Sequence, residues 1–152
     1  MTYEDLQIKY DELLLLEVNL SEVDGLKGLY ADGCIAIKKT LTVAEKGCIL
    51  AEGIGHHLTT IGDILDQSNI NNRKQEYKAR IIAYEFQIGL YGLIESYEAR
   101  CTSLYMMADY LDVTEEFLHE ALEYYKSKYG LFAKLDNYII YFEPSFGVMK
   151  IL

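Results

Sequence analysis

The chain of 152 residues is long enough to bury one hydrophobic core, and 51% of its residues are hydrophobic, but no uncharged apolar run approaches the ~20 residues needed to cross a bilayer. Its net charge of −10 repels phosphate backbones, which disfavours nucleic-acid binding and favours a protein partner or peptide substrate. The acidic N-terminus lacks a secretory-signal pattern, and the three cysteines are widely spaced without a CxxC pair, so we expect a cytoplasmic protein with no membrane segment.

The first part of the chain is predicted to form a helix, a β-hairpin and a second helix. Apolar residues at mostly helical spacing predict an N-terminal helix from Thr2 to about Glu17. Asp32-Gly33 separates two short apolar runs and is a strong hairpin signal. Thr42 and Glu45 have capping-box spacing, which predicts that a helix runs from Val43 to about Leu58.

The rest of the chain is predicted to be mainly helical, with a hairpin at its end. Polar residues 67–72 are typical of a turn and precede the first of the predicted helices. The predicted helices are Arg73–Phe86, Ile94–Glu98, Ser103–Tyr110 and Glu115–Lys128, the last capped by Thr114, and the predicted hairpin joins 137–142 to 148–152. No linker or repeat divides the sequence, so we expect one α+β domain over 1–152, with portions 1–90 and 91–152.

The second predicted helix carries a pair of residues that could bind a metal ion. Glu52 and His56 are four residues apart and therefore lie on the same helix face. A catalytic zinc ion normally has three protein ligands, and Glu76, near the start of the next helix, is the natural third candidate. Gly53 and Gly55 would allow those helices to pack closely, although each costs up to ~1 kcal/mol relative to Ala in a helix.

A resemblance to a known family is visible at this point. Thr42 to Asp63, followed by Glu76-Tyr-Lys-Ala79-Arg-Ile-Ile-Ala83, resembles the ImmA/IrrE metallopeptidases, especially their phage or mobile-element branch. Members carry His-Glu-x-x-His on one helix and a third ligand in a later Glu-x-x-Ala-x-x-x-Ala helix, and phage-type relatives often have Glu-Glu-x-x-His after Leu-Ala. The resemblance implies a mainly helical, gluzincin-like fold with a small sheet, and zinc bound by Glu52, His56 and Glu76. It also implies an antirepressor that cleaves or engages a helix-turn-helix repressor.

One position departs from the family pattern. The Glu beside the first ligand normally transfers a proton from zinc-bound water to the leaving amine, and Gly53 stands at that place. General acid–base catalysis is typically worth ~10²–10⁴ in rate. We therefore assign no catalytic residue and expect peptidase activity to be weak or absent.

Other interpretations of these motifs stay open. An isolated Glu-x-x-x-His pair is more often an exposed helical hydrogen bond than a ligand pair, so a metal-free protein-interaction module is the alternative function. His57 is expected at the rim of the site, His119 in solvent, and Asp63 and Asp66 either orient a ligand imidazole or cap loops.

A second functional motif is weaker. Residues 106–122 have the rhythm of a helix-turn-helix, but the second helix carries Glu115, Glu116, Glu120 and Glu123, whereas a recognition helix needs basic or amide side chains. Nucleic-acid binding is therefore not expected. The sequence does not specify an oligomeric state.

Overall fold

The computed structural model describes residues 1–19, 26–59 and 69–152. Within this part of the chain there are six helices and six strands, which confirms the α+β class. The chain divides into two compact units, Met1–Phe86 and Gln87–Leu152. No helix in the described ranges is both long enough and apolar enough to cross a membrane.

The N-terminal unit combines three helices with a three-stranded sheet. The sheet has the order β1-β3-β2, with β1 parallel and β2 antiparallel to β3. The last helix extends by one residue into the second unit. The elements are α1 (Tyr3–Lys9), β1 (Leu14–Val18), β2 (Gly28–Ala31), β3 (Cys34–Lys38), α2 (Val43–Thr59) and α3 (Asn69–Gln87).

The predicted N-terminal helix is wrong beyond Lys9. Leu14–Val18 forms strand β1, which pairs residue by residue with β3 from Leu14 opposite Cys34 to Val18 opposite Lys38. A short run of leucines fits a helix or a strand equally well by periodicity. Here pairing with a strand some twenty positions later decides the outcome, because β structure depends on its neighbours more than on local propensity.

The predicted hairpin and the start of the predicted second helix are confirmed. Asp32 and Gly33 both have positive φ, at 45° and 78°, as a two-residue type I′ turn requires. At the start of α2, the Glu45 amide donates to Thr42 Oγ1 and the Thr42 amide donates to Glu45 Oε1, each at 3.2 Å. This reciprocal cap fixes the start of the helix that carries the predicted ligands.

The core of the N-terminal unit lies between α2 and the sheet. Buried residues of α2 include Leu50, Ala51 and Ile54, and β3 contributes the buried Ile35 and Ile37. Helix α2 packs on α1, β2 and β3. One face of α2 is therefore held against the sheet, and this arrangement positions Glu52 and His56.

The C-terminal unit contains three helices and an antiparallel sheet of order β4-β5-β6. The terminal hairpin is confirmed as β5 and β6, while β4 was not predicted. The first helix of this unit begins earlier than predicted, at Gly89, which has a positive φ of 64°. In the N-terminal unit, α3 likewise begins earlier, at Asn69 rather than Arg73. The elements are α4 (Gly89–Glu98), α5 (Leu104–Tyr110), α6 (Glu115–Tyr129), β4 (Phe132–Leu135), β5 (Tyr138–Tyr141) and β6 (Gly147–Lys150).

Candidate functional site

Two of the three predicted ligands line one small cleft in the N-terminal unit. Glu52 and His56 lie on α2 beside strand β2, at a cavity of about 100 Å³. The other walls are mostly apolar and come from Gly28, Leu29, Tyr30, Ile35, Ile49 and Gly53. A carboxylate and an imidazole thus face a pocket that is otherwise suited to an apolar group.

The third predicted ligand, Glu76, is connected to Glu52 through Arg80. Arg80 Nε lies 3.8 Å from Glu52 Oε1, and Arg80 Nη2 lies 3.9 Å from Glu76 Oε2. One guanidinium group therefore forms an ion pair with each of the two carboxylates. The three side chains are 33% (Glu52), 57% (Glu76) and 46% (Arg80) exposed, so water screens these long ion pairs and their contribution to stability is small.

The residue types of these three donors suit zinc, but their positions in the structure do not form a metal site. Two carboxylates and an imidazole are normal zinc ligands. Among the side chains that the structure describes, however, no group of three or more His, Cys, Asp or Glu residues is placed to hold a metal ion. The structure brings Glu52 and Glu76 to one guanidinium rather than to one coordination centre, so their assignment as zinc ligands stays a prediction.

The protonation state of His56 suits a ligand role. Partial burial is the main cause that lowers the pKa of His56 below its ordinary value; the Glu76 carboxylate opposes this effect and Arg80 adds to it. A lowered pKa favours the neutral imidazole at neutral pH, and the neutral form is the one that binds metals.

Gly53 packs directly against the sheet. A Cβ atom at this position would lie 2.8 Å from Ile35 Cδ1 and 3.1 Å from Ile35 Cγ1. The space next to the backbone of Gly53 is therefore filled by the Ile35 side chain. A larger residue at position 53 requires this flexible side chain to move, whereas the backbone can stay in place.

Gly55 makes a closer approach, to α3. A Cβ atom at this position would lie 2.3 Å from the carbonyl oxygen of Ala79. The expected close packing of the two helices is thus found at Gly55, while Gly53 faces β3 instead. Because Ala79 is three residues after Glu76, this contact also sets how near Glu76 comes to α2.

Tyr30, on β2, is a site residue that sequence analysis missed. Its ring is nearly parallel to the His56 ring, at 10° with centroids 6.0 Å apart, and its hydroxyl oxygen lies 3.0 Å from Nδ1 of His57. Only the docking of the hairpin on α2 creates these contacts. Arg80 was also missed, although its position four residues after Glu76 on one helix could have revealed it.

The other candidate residues have different environments. His57 is half-buried beside Tyr30 at the end of α2, and His119 is exposed on α6. Asp63 and Asp66 lie outside the described residues. The helix-turn-helix-like segment forms α5 and α6, whose exposed residues include Glu115, Glu116, Glu120 and Glu123.

A larger cleft lies in the C-terminal unit. Its volume is about 580 Å³, and it is formed by the loop between α4 and α5, one face of α6 and the turn before β6. His119, Glu123 and Lys126 line it, but none of the three predicted metal ligands does. We therefore place the candidate metal centre in the cleft of the N-terminal unit.

Comparison with known proteins identifies a family. A peptidase family model described as the IrrE N-terminal-like domain (family M78) matches residues 12–123, which include Glu52, His56 and Glu76. No curated protein and no solved structure matches the chain significantly.

Proposed function

Because the chain belongs to the IrrE N-terminal-like domain family, which is generally zinc-dependent, we propose that it is a metallopeptidase-fold antirepressor that binds a helix-turn-helix repressor and cleaves it weakly or not at all. The repressor would be one of a phage or mobile element, and the two proteins would meet in the cytoplasm. The acidic charge of the chain, −10, suits a basic DNA-binding partner.

The observation that carries this proposal is the environment of Gly53. Gly53 lines the cleft next to Glu52 in the sequence, at the position where the family has its general base, and Ile35 fills the adjacent space. Without a carboxylate there, no side chain at position 53 can take a proton from an attacking water. The pocket can still receive a side chain of the partner, but position 53 supplies no general base for peptide hydrolysis.

Zinc is part of the proposal, with Glu52, His56 and Glu76 as its ligands. When bound, zinc supplies Lewis acidity toward a peptide carbonyl of the partner. Glu52 and His56 are one helical turn apart on the cleft wall, and Glu76 would have to leave its ion pair with Arg80 to join them.

Restoring the carboxylate tests the proposal. Three purified proteins are compared: the wild type, Gly53→Glu, and Gly53→Glu combined with Ile35→Val, which makes room for the new side chain. Each is incubated with zinc and with the helix-turn-helix repressor whose gene lies nearest to the gene of this chain. We expect the wild type to bind the repressor and to cleave it weakly or not at all, and the glutamate variants to cleave it at least ~10² times faster than the wild type. Gel electrophoresis measures cleavage and size-exclusion chromatography measures binding.

Gly53→Gln with Ile35→Val is the matched control, because it has the same size and no base. It should bind the repressor and leave it intact. Equal cleavage by the wild type and the glutamate variants would contradict the assignment of position 53, and failure of all the proteins to bind the repressor would remove the proposed partner.

A second function is favoured by the ion pairs of Arg80. The alternative is a metal-free interaction module. In it, the Arg80 guanidinium, which lies within 4 Å of Glu52 and of Glu76, supplies the positive charge beside these carboxylates. Zinc measured by mass spectrometry on protein purified without chelators separates the two functions. One zinc per chain supports the metallopeptidase-type site, and its absence together with retained repressor binding supports the module.

A further inference from the structure

Tyr30 contacts both histidines in the last part of α2. Its ring is stacked with His56, as described above, and meets the His57 ring edge-on at 67°, again with centroids 6.0 Å apart. Both separations are within the 4.5–7 Å range of favourable aromatic pairs. One half-buried side chain from the hairpin therefore restrains two neighbouring imidazoles.

The Tyr30 hydroxyl has two hydrogen-bond partners. The Gly33 amide donates to the hydroxyl oxygen at 3.4 Å, and the same oxygen lies 3.0 Å from His57 Nδ1. An amide can only donate, so the hydroxyl oxygen accepts from Gly33 and leaves its own proton free to be donated to Nδ1. If the hydroxyl donates in this way, Nδ1 of a neutral His57 ring is the acceptor and Nε2 carries the proton.

The hairpin that carries Tyr30 is held in place on both sides. Tyr30 pairs with Ile35 across the hairpin, and the type I′ turn closes it. At the other end of β2, a Cβ atom on Gly28 would lie 2.4 Å from Ile49 Cγ2 of α2, so the strand and the helix are in close contact there. Tyr30 thus acts from a fixed position.

We propose that Tyr30 is the positioning residue of this site: its ring orients the His56 imidazole beside Glu52, and its hydroxyl holds His57 with Nε2 as the proton-bearing nitrogen. His57 is then a hydrogen-bond donor of the kind that binds a peptide carbonyl. The part that concerns His56 rests on the proposed function, because it takes His56 as a zinc ligand. The part that concerns His57 does not.

The hydrogen bond to His57 is tested without metal. Long-range ¹H–¹⁵N spectra of the metal-free chain are recorded at about pH 8.5, where ordinary imidazoles are neutral. With three histidines in the chain, a His57→Gln variant assigns the signals of that ring. We expect the Nδ1 signal of His57 to show a hydrogen-bond shift in the wild type that is lost in Tyr30→Phe. Tyr77→Phe, an exposed tyrosine on α3, is the matched control and should leave the signal unchanged.

The contact with His56 is tested through zinc affinity, measured by competition with a chromophoric chelator. Partners that orient a metal-binding histidine typically contribute 10–100-fold to affinity. We expect Tyr30→Leu to bind zinc about tenfold more weakly than the wild type, and Tyr30→Phe, which keeps the ring, to bind within about twofold of it. Circular dichroism verifies that both variants are folded.

The results distinguish a failure of the proposal for Tyr30 from a failure of the proposed function. An identical Nδ1 signal in the wild type and Tyr30→Phe would overturn the proposal for Tyr30, and so would unchanged zinc affinity in a folded Tyr30→Leu variant. If the wild type itself binds no zinc, the metal part of the proposed function fails, while the Nδ1 comparison still decides whether Tyr30 positions His57.

Discussion

Gly53 and Gly55 of α2 each lie against a neighbouring residue, and these neighbours differ in how easily they can move. At Gly53 the nearest atom to an added Cβ is the end of the flexible Ile35 side chain, at 2.8 Å. At Gly55 the nearest atoms belong to the backbone of Ala79, with the carbonyl oxygen at 2.3 Å. A side chain can change rotamer, but a helix backbone can yield only by moving the whole of α3.

Alanine substitutions at these positions should therefore differ in stability. Both gain the same helix propensity, up to ~1 kcal/mol. We expect Gly55→Ala to lower the free energy of unfolding by about 1–3 kcal/mol, the usual cost of overpacking, and Gly53→Ala to be close to the wild type. Urea denaturation measures both variants. Equal stability of the two would show that α3 does not rest on Gly55.

Gln87 is a buried polar residue. It is 3% exposed, and among the described residues neither its amide nitrogen nor its amide oxygen has a hydrogen-bond partner. Leaving buried polar atoms unpaired costs about 1–3 kcal/mol, whereas an apolar residue of similar shape carries no such cost.

We expect Gln87→Met to raise the free energy of unfolding by about 1 kcal/mol, because methionine has nearly the same length and no polar atoms to bury. Thermal unfolding is the measurement. Gln7→Met, at an exposed position of α1, is the control and should change little. A destabilised Gln87→Met variant would indicate that the amide is hydrogen-bonded in solution.

At the scale of elements, the site depends on how α2 and α3 face each other. Helix α2 supplies Glu52 and His56, and α3 supplies Glu76 and Arg80 one turn apart. The contact of Gly55 with Ala79 brings the helices together, and Arg80 then lies within 4 Å of a carboxylate on each of them. A cation that binds the two carboxylates must therefore compete with a guanidinium that belongs to the chain.

Removing Arg80 should strengthen cation binding. We expect Arg80→Gln to bind zinc about tenfold more tightly than the wild type, equivalent to ~1.4 kcal/mol, because two partly solvated carboxylates lose a positive neighbour. Titration against a chelator at low ionic strength measures this, since salt screens the effect.

Lys78→Gln is the matched control for that titration. It removes one positive charge from an exposed residue of the same helix and should alter zinc affinity much less. The same gain in both variants would show that general charge, rather than the position of Arg80, governs binding.

At the scale of the whole molecule, charge determines which partners can approach. The sequence contains 24 acidic and 14 basic residues. In the described C-terminal unit, α6, the second helix of the segment that resembles a helix-turn-helix in sequence, exposes four glutamates. Neither feature supplies the basic groups that neutralise phosphates.

The chain should therefore show no measurable binding to duplex DNA. Fluorescence anisotropy of a labelled duplex, at low salt and at physiological salt, checks this expectation. Binding that weakens steeply with added salt would indicate counterion release from phosphates and would contradict it.

The sequence by itself determined the features that depend on near neighbours. The cap formed by Thr42 and Glu45, the Asp32-Gly33 turn and the Thr114 cap of α6 all involve residues at most three apart, so their chemistry is present in any short segment. The pair of Glu52 and His56, four residues apart on one helix, also depends only on local geometry. The family was also recognisable, because the order and spacing of its motifs can be read from the sequence alone.

The tertiary structure decided what depends on residues far apart in the chain. It made Leu14–Val18 a strand by pairing it with β3, added β4 to the terminal hairpin, placed Tyr30 against His56 and His57, and placed Arg80 near Glu52. The physical reason is that strand pairing and side-chain contacts draw their free energy from distant partners, and a local pattern such as a run of leucines does not specify which partner it will meet.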